Sequence, residues 1–378
     1  MTLPDSPLIA SVRDLGIQFM ANDVDITGQD AVSSVELSSG GSLWIFGDTI
    51  EGPFDSIRGF ELTEVLSNTG AIVPRQDLSH GVREFRYLTN PDGTRARQLI
   101  GFIPPEHKAR QRLWAIHGAE VDGQLYLYYH RITMDLSVDV FETFQLDGMG
   151  VARAGSDYSF ERLPAPDGSY EWWKGDQPGF GVWVQRIEDH LYLWGSVQPA
   201  SKSSGDMYLA RVRPADVEDL SAYEYLVEAP TLARPDVEPR WSSTFTPTAR
   251  LFCDVPNEMS SSWNPYLGCY ISLTTYRREN QLVIRTAPAI TGPWSEPEVV
   301  FRPAMTRPES LFNAGKEHPE FARDGGKVIY MTFIDSSVYA PHLIEITFAE
   351  WDASSAAQAS RHRDLTGVKL HPRSRVRG

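Results

Sequence analysis

The chain has 378 residues, 41% of them hydrophobic and 22% charged, which is the composition of a soluble globular protein with a sizeable core and excludes disordered, collagen-like and coiled-coil classes. No run approaches the ~18–20 apolar residues of a membrane-crossing helix, and the opening MTLPDSPLIASVRDLG lacks a basic stretch followed by an apolar one, so the reading is a cytoplasmic protein or the mature form of a secreted one. Fifty acidic against 35 basic residues give a net charge of −15, which repels a nucleic-acid backbone, and the excess of arginine over the six lysines suggests GC-rich coding, as in an actinobacterium-like source.

In chain order, residues 1–25 would supply a closing strand, and five long runs of β-formers follow. They are LWIFGDT from Leu43, LYLYYH from Leu125, LYLWGS from Leu191, CYISLTTY from Cys269 and VIYMTFID from Val328, most of them entered through a tight polar turn. Each has a shorter predecessor (AVSSVEL, HGAEV, GVWVQRI, TPTARLF and EHPEFAR), so each pair predicts a hairpin. Most are followed by a further β segment, such as SNTGAIV, DMYLARV, QLVIRTA or HLIEITFAEW. Extended helical periodicity is missing, although ADVEDLSAY and PESLFNAG can hold a turn or two of helix. The run starts lie 82, 66, 78 and 59 residues apart, the loose period of a four-stranded unit with loops. The prediction is an all-β, five-bladed β-propeller over residues 1–351, followed by a basic tail over 352–378.

Propellers bind ligands at a mouth of the central channel, so polar residues at the ends of inner strands are the first candidates. If the SSGG turn is centred near Ser39 and Gly40, residues whose numbers add to 78 or 79 face each other, which makes Asp30 and Asp48 cross-strand neighbours. Two carboxyls that close repel, so one keeps its proton to a higher pH, a division of labour that suits glycoside hydrolysis. The competing reading makes each Asp a turn residue satisfying backbone N–H groups. Glu317 and His318 in KEHPEF, and Asp176 in WWKGDQPGFG, are further mouth candidates. Trp172, Trp183 and Trp263 offer flat faces for a sugar ring, and Asn68 and Asn264 can donate to sugar hydroxyls or merely brace turns. Cys253 and Cys269 match no zinc or CxxC pattern and are read as two buried thiols, with a disulfide between neighbouring strands as the alternative. No nucleotide, zinc-peptidase or α/β-hydrolase motif is present. No cofactor or metal is called for; loop Asp and Asn oxygens suit a structural calcium at the axis, though without EF-hand-like spacing.

The phrases GQDAVSSVELSSGGSLWIFGDT, LSNTGAIV, GDMYLARVRPADVEDLSAYEYL, WNPYLGCYISLTTY, IRTAPAITGPWSEPEVVF and EHPEFARDGGKVIYMTFIDS, taken together, resemble the domain of unknown function 4185, some of whose members form glycoside hydrolase family 183. That resemblance implies a five-bladed propeller and, for the arabinanase members, cleavage of internal α-D-arabinofuranosyl links in mycobacterial arabinogalactan and lipoarabinomannan. The family's acidic pair falls on Asp30 in GQDAVSS and Asp48 in FGDT, as acid and as nucleophile or base in an order the sequence leaves open. The expected partner is thus a D-arabinan oligo- or polysaccharide, with retention of configuration favoured by the hairpin opposition. Two alternatives stand beside it: another furanosidase of the same fold, for example on L-arabinan, and a non-catalytic carbohydrate-binding propeller.

Overall fold

A computed structural model describes residues 6–52, 64–135, 137, 144–197, 205–256, 258–276, 280–307, 310 and 312–350. The expected basic tail lies outside them.

The chain folds as a five-bladed β-propeller. Blade one is Ser33–Glu36, Ser42–Phe46, Thr69–Val73 and Arg86–Tyr87, and blade two begins with Gln111–Val121, Gln124–Met134 and Phe144–Ala154. Blade three begins with Gly179–Ile187, His190–Val197 and Gly205–Val212. Blade four is Ser260–Asn264, Cys269–Tyr276, Gln281–Ala287 and Glu298–Phe301. Blade five takes Phe312–Glu317, Val328–Asp335 and Ala340–Phe348 from the end of the sequence and Ile9–Ile17 from its beginning, with Ile9 paired to Phe348 and Val12 to Ile346. The expected closing strand is therefore the outer strand of the last blade.

Tight turns build the hairpins. Asp122 and Gly123, at φ 50° and 80°, link the first two strands of blade two with the positive dihedrals that match strand twist. Between blades, apolar faces interlock all the way round. Val35, Leu43 and Ile45 pack on Leu113 and Leu127; Tyr128 and Met149 on Phe180 and Trp194. Ile271 and Leu273 meet Phe312 and Phe333, and Tyr330, Ile334 and Leu343 return to Trp44 and Phe46 of blade one. Each such side chain removed from water contributes roughly 1.5–3 kcal/mol, so the blade-to-blade seams hold the ring.

Two predicted hairpins are corrected. TPTARLF does not open blade four: Phe252–Val255 pairs with the third strand of blade three, and the inner strand of blade four is Ser260–Asn264. EHPEFAR does not open blade five either, because Pro319 at the first position of a 3₁₀ turn, with its fixed φ, bends the chain over Pro319–Phe321. The inner strand there is Phe312–Glu317, which takes up the last four residues of PESLFNAG, read as a possible helix turn; residues 308, 309 and 311 of that segment lie outside the described residues. ADVEDLSAY does hold two short 3₁₀ turns, Pro214–Asp216 and Leu220–Ala222. Both cysteines are free thiols and only half-buried.

Candidate active site

The blade-one hairpin has the register that the turn implied: Ser33 pairs with Ile45, Ser34 with Trp44 and Glu36 with Ser42. A small sheet of Ile26–Gln29, Thr49–Glu51 and Glu64–Leu66 continues it, with Gln29 opposite Thr49. Asp30 and Asp48 fall between these two ladders, and the Asp30 N–H donates to the Asp48 carbonyl at 3.0 Å. At this point the ladder is irregular. The Gly47 N–H donates to the carbonyls of both Asp30 and Ala31, at 2.8 and 3.2 Å, and Ala31 sits at φ 47°. A β-carbon on Gly47 would stand 3.0 Å from that of Ala31, so this approach needs glycine.

Asp48 is buried, 6% exposed, and its Oδ1 accepts from the Trp114 indole N–H at 2.9 Å. Arg112 Nε lies 3.4 Å from the same oxygen in an ion-pair contact, its guanidinium also donating to the carbonyls of Lys108 and Gln111. Burial pushes the Asp48 carboxyl up to about 7; Arg112 and Trp114 pull the other way, and the nearby Asp30 adds repulsion. Desolvation wins. Asp30 is half-buried, and its Oδ1 accepts from its neighbour Ala31 N–H at 2.7 Å and from Asn313 Nδ2 at 3.1 Å. Asn313 reaches it because the inner strand of blade five bulges between Asn313 and Lys316, with Ala314 at φ 55°. The Tyr339 phenol, held well above its usual pKa by burial and then by Asp30 and Asp48, stays a neutral hydroxyl beside the pair. Its backbone, too, is left-handed, at φ 55°. Three non-glycine residues in that region, each costing about 1–3 kcal/mol, thus flank the two carboxyls.

Deeper in the channel Lys316 is fully buried, and its ammonium donates to Ser33 Oγ at 2.6 Å and the Ile116 carbonyl at 2.9 Å and pairs with Glu258 Oε2 at 2.8 Å. Among the described residues no cluster of three or more His, Cys, Asp or Glu side chains is placed to hold a metal ion. No helix among them is long and apolar enough to cross a membrane.

A family model described as "Domain of unknown function (DUF4185)" matches residues 18–345. The chain belongs to that family. No curated protein matches it by sequence. Among solved structures, a candidate hydrolase from Bacteroides ovatus ATCC 8483 superposes with a TM-score of 0.60 at 14% identity, covering 86% of this chain and 87% of its own. The GH43_1 enzyme from Xanthomonas citri gives 0.51 at 13%, covering 92% of each chain. CoXyl43, a GH43 β-xylosidase/α-arabinofuranosidase from a compost microbial metagenome, solved with xylotriose, gives 0.51 at 14% over 91% and 97%. At these identities the likeness is one of fold.

Within this DUF4185 propeller the residues singled out by sequence separate into groups. Asp30 and Asp48 come together at the end of the channel where the inner strands begin, and Asp176, exposed three residues before the blade-three inner strand, lies on the same rim. Asp176 lines an open depression of about 570 Å³ with Arg131, Asp147, Glu171 and Lys174, and neither Asp30 nor Asp48 borders it.

Glu317 and His318 are corrected from the mouth to the deep channel. Glu317 is 2% exposed, accepts from Ser262 Oγ at 2.7 Å, and is pushed up to about 7 by burial. His318 is wedged between Ser34 Oγ at 2.7 Å and Thr332 Oγ1 at 2.9 Å, stacked on Trp44, and burial lowers it to about 3. Trp183 is also internal, stacked on His117 at 3.8 Å.

Trp172 is core, its indole donating to the Leu163 carbonyl. Asn68 is wholly buried with its amide spent on the backbone of Leu99, Ile100 and Leu113, and Asn264 braces Leu267 and Gly326. Neither faces the channel mouth. Trp263 is 49% exposed, but near the far end of its inner strand, edge-on to Tyr270. Arg112, Trp114, Asn313, Tyr339, Glu258 and Lys316 are the site residues that sequence reasoning passed over. For all but Lys316, which lies near the end of its inner strand, the available signal was their place at or just before inner-strand starts or in the last blade's loop.

Proposed function

We propose that the protein is a retaining endo-D-arabinanase that cleaves internal α-D-arabinofuranosyl links of mycobacterial arabinogalactan and lipoarabinomannan. The observation that carries this reading is the opposition of a buried Asp48 and a half-buried Asp30 across one irregular point of the blade-one hairpin. Membership of the DUF4185 family and the shared fold of a β-xylosidase/α-arabinofuranosidase support it.

In this mechanism Asp48, its carboxyl raised to about 7 so that a large fraction is still protonated near neutral pH, gives its proton to the departing glycosidic oxygen while the Asp30 carboxylate attacks the anomeric carbon. The glycosyl–Asp30 ester is then hydrolysed by a water whose proton returns to Asp48, and the anomeric configuration is retained. Arg112 and Trp114 hold Asp48 in place and stabilise its anion once the proton has left. Tyr339 supplies a neutral hydroxyl beside the reacting carbon. Incubation with mycobacterial arabinogalactan, with plant L-arabinan in parallel, tests the reading: a ladder of oligosaccharides is expected from the first alone. Asp30→Asn and Asp48→Asn should each lower turnover by roughly 100-fold or more while the fold is kept. Undiminished cleavage in the double variant would overturn it, and cleavage of L-arabinan alone would reassign the substrate.

A further inference from the structure

One side chain close to this site has no hydrogen-bond partner among the described residues. His130 lies on the second strand of blade two directly opposite Trp114, the residue that holds Asp48. Opposed residues of an antiparallel pair project to the same face, so the imidazole is turned to the side of the sheet that carries the Trp114 indole. It is only 5% exposed, yet no protein group among the described residues hydrogen-bonds either ring nitrogen. Burial lowers it to about 4, so at neutral pH it offers one N–H donor and one acceptor nitrogen. Nε2 lies near Gly179, the first residue of the blade-three inner strand, where a β-carbon would stand 3.7 Å from it and 3.5 Å from the Met149 side chain.

Glu258, two residues before the inner strand of blade four, lies within electrostatic reach of His130. Its Oε2 lies 2.8 Å from the Lys316 ammonium in an ion pair but is buried without a hydrogen-bond partner, the Lys316 hydrogen bonds going to Ser33 and the Ile116 carbonyl. A buried carboxylate oxygen without a hydrogen bond is costly, and a nearly buried imidazole whose nitrogens the protein leaves to solvent offers a second polar group for a ligand to meet. The chemistry that meets both is a vicinal hydroxyl array, with one hydroxyl donating to Glu258 and one exchanging hydrogen bonds with His130.

We infer that His130 and Glu258 form a hydroxyl-binding subsite of the channel mouth that holds the sugar ring next to the Asp30–Asp48 pair. The inference rests on the hydrolase reading for the reaction, but not for the binding. His130→Ala should raise KM for a soluble D-arabino-oligosaccharide about tenfold while kcat changes less than about threefold, the loss of one or two hydrogen bonds. His130→Gln, which keeps a donor and an acceptor, should restore most of the affinity. Calorimetric titration of the same oligosaccharide into Asp48→Asn and into Asp48→Asn/His130→Ala should show the tenfold difference without turnover. An active wild type whose KM is unmoved in folded His130→Ala overturns this subsite alone. Binding that depends on His130 in a protein that cleaves nothing supports the subsite and overturns the hydrolase. A wild type that neither binds nor cleaves overturns both.

Discussion

Asp48 has two opposed influences acting on one proton. Taking the carboxyl out of water raises its pKa to about 7, against a contact with Arg112 and a hydrogen bond from Trp114 that favour the anion. If Asp48 is the acid, the rate should fall as pH rises through about 7, because the proton to be donated is lost. Removing either stabiliser of the anion must move that limb upward. Arg112→Gln and Trp114→Phe are each expected to shift the basic limb of the kcat profile to higher pH while lowering the maximal rate; a downward shift would contradict the assignment. The identity of the pair was legible because one turn sets the register on either side of it: all four pairs of the hairpin, and Gln29–Thr49 and Gly28–Ile50 beyond it, obey the same sum as Asp30 and Asp48. Asn68, Trp172 and Asn264 were misplaced because a sequence names a polar or aromatic group but not the carbonyls that surround it.

At the scale of elements, the site depends on two departures from regular pairing. Gly47 lets the blade-one hairpin cross itself closely, and the bulge at Ala314 turns Asn313 onto Asp30 and Lys316 inward. Gly47→Ala forces a methyl against Ala31, which should cost about 1–3 kcal/mol and move the two carboxyls apart. Chemical denaturation and turnover should therefore fall together in this variant, and full activity at reduced stability would show that the crossing is structural only. The hairpins of blades one, two and three were readable from turn residues and alternation. The inner strands of blades four and five were not. SSSWN is too polar to look like a strand, and its serines are tolerated because they line the channel and bond to groups such as Glu317. FNAGKE hides a bulge, and so breaks the alternation by which strands are recognised.

For the whole molecule, the site is a product of closure. Asp30 and Asn313 are 283 residues apart, Lys316 and Ile116 are 200 apart, and no local pattern could have joined them. A propeller brings the starts of its inner strands to one rim, which converts remote sequence positions into one polar surface. The five-bladed count was legible from the repeated hairpins; which side chains meet at the axis was not, because it depends on each blade's rotation.

The family match begins at residue 18 and ends at 345, whereas the last blade takes its outer strand from Ile9–Ile17 and extends to Phe348. A fragment trimmed to the matched region would keep every residue of the mouth, yet lose the outer strand Ile9–Ile17 and the last three residues of the strand beneath it, leaving Ala340–Glu345 uncovered. That strand would become an open edge with unpaired amides and carbonyls, a template for a neighbouring molecule's backbone. Light scattering should find residues 18–345 self-associated and melting below the full chain, and added Ile9–Ile17 peptide should compete for the edge. A monomeric fragment of unchanged melting temperature would mean that the ring is held by its apolar seams alone.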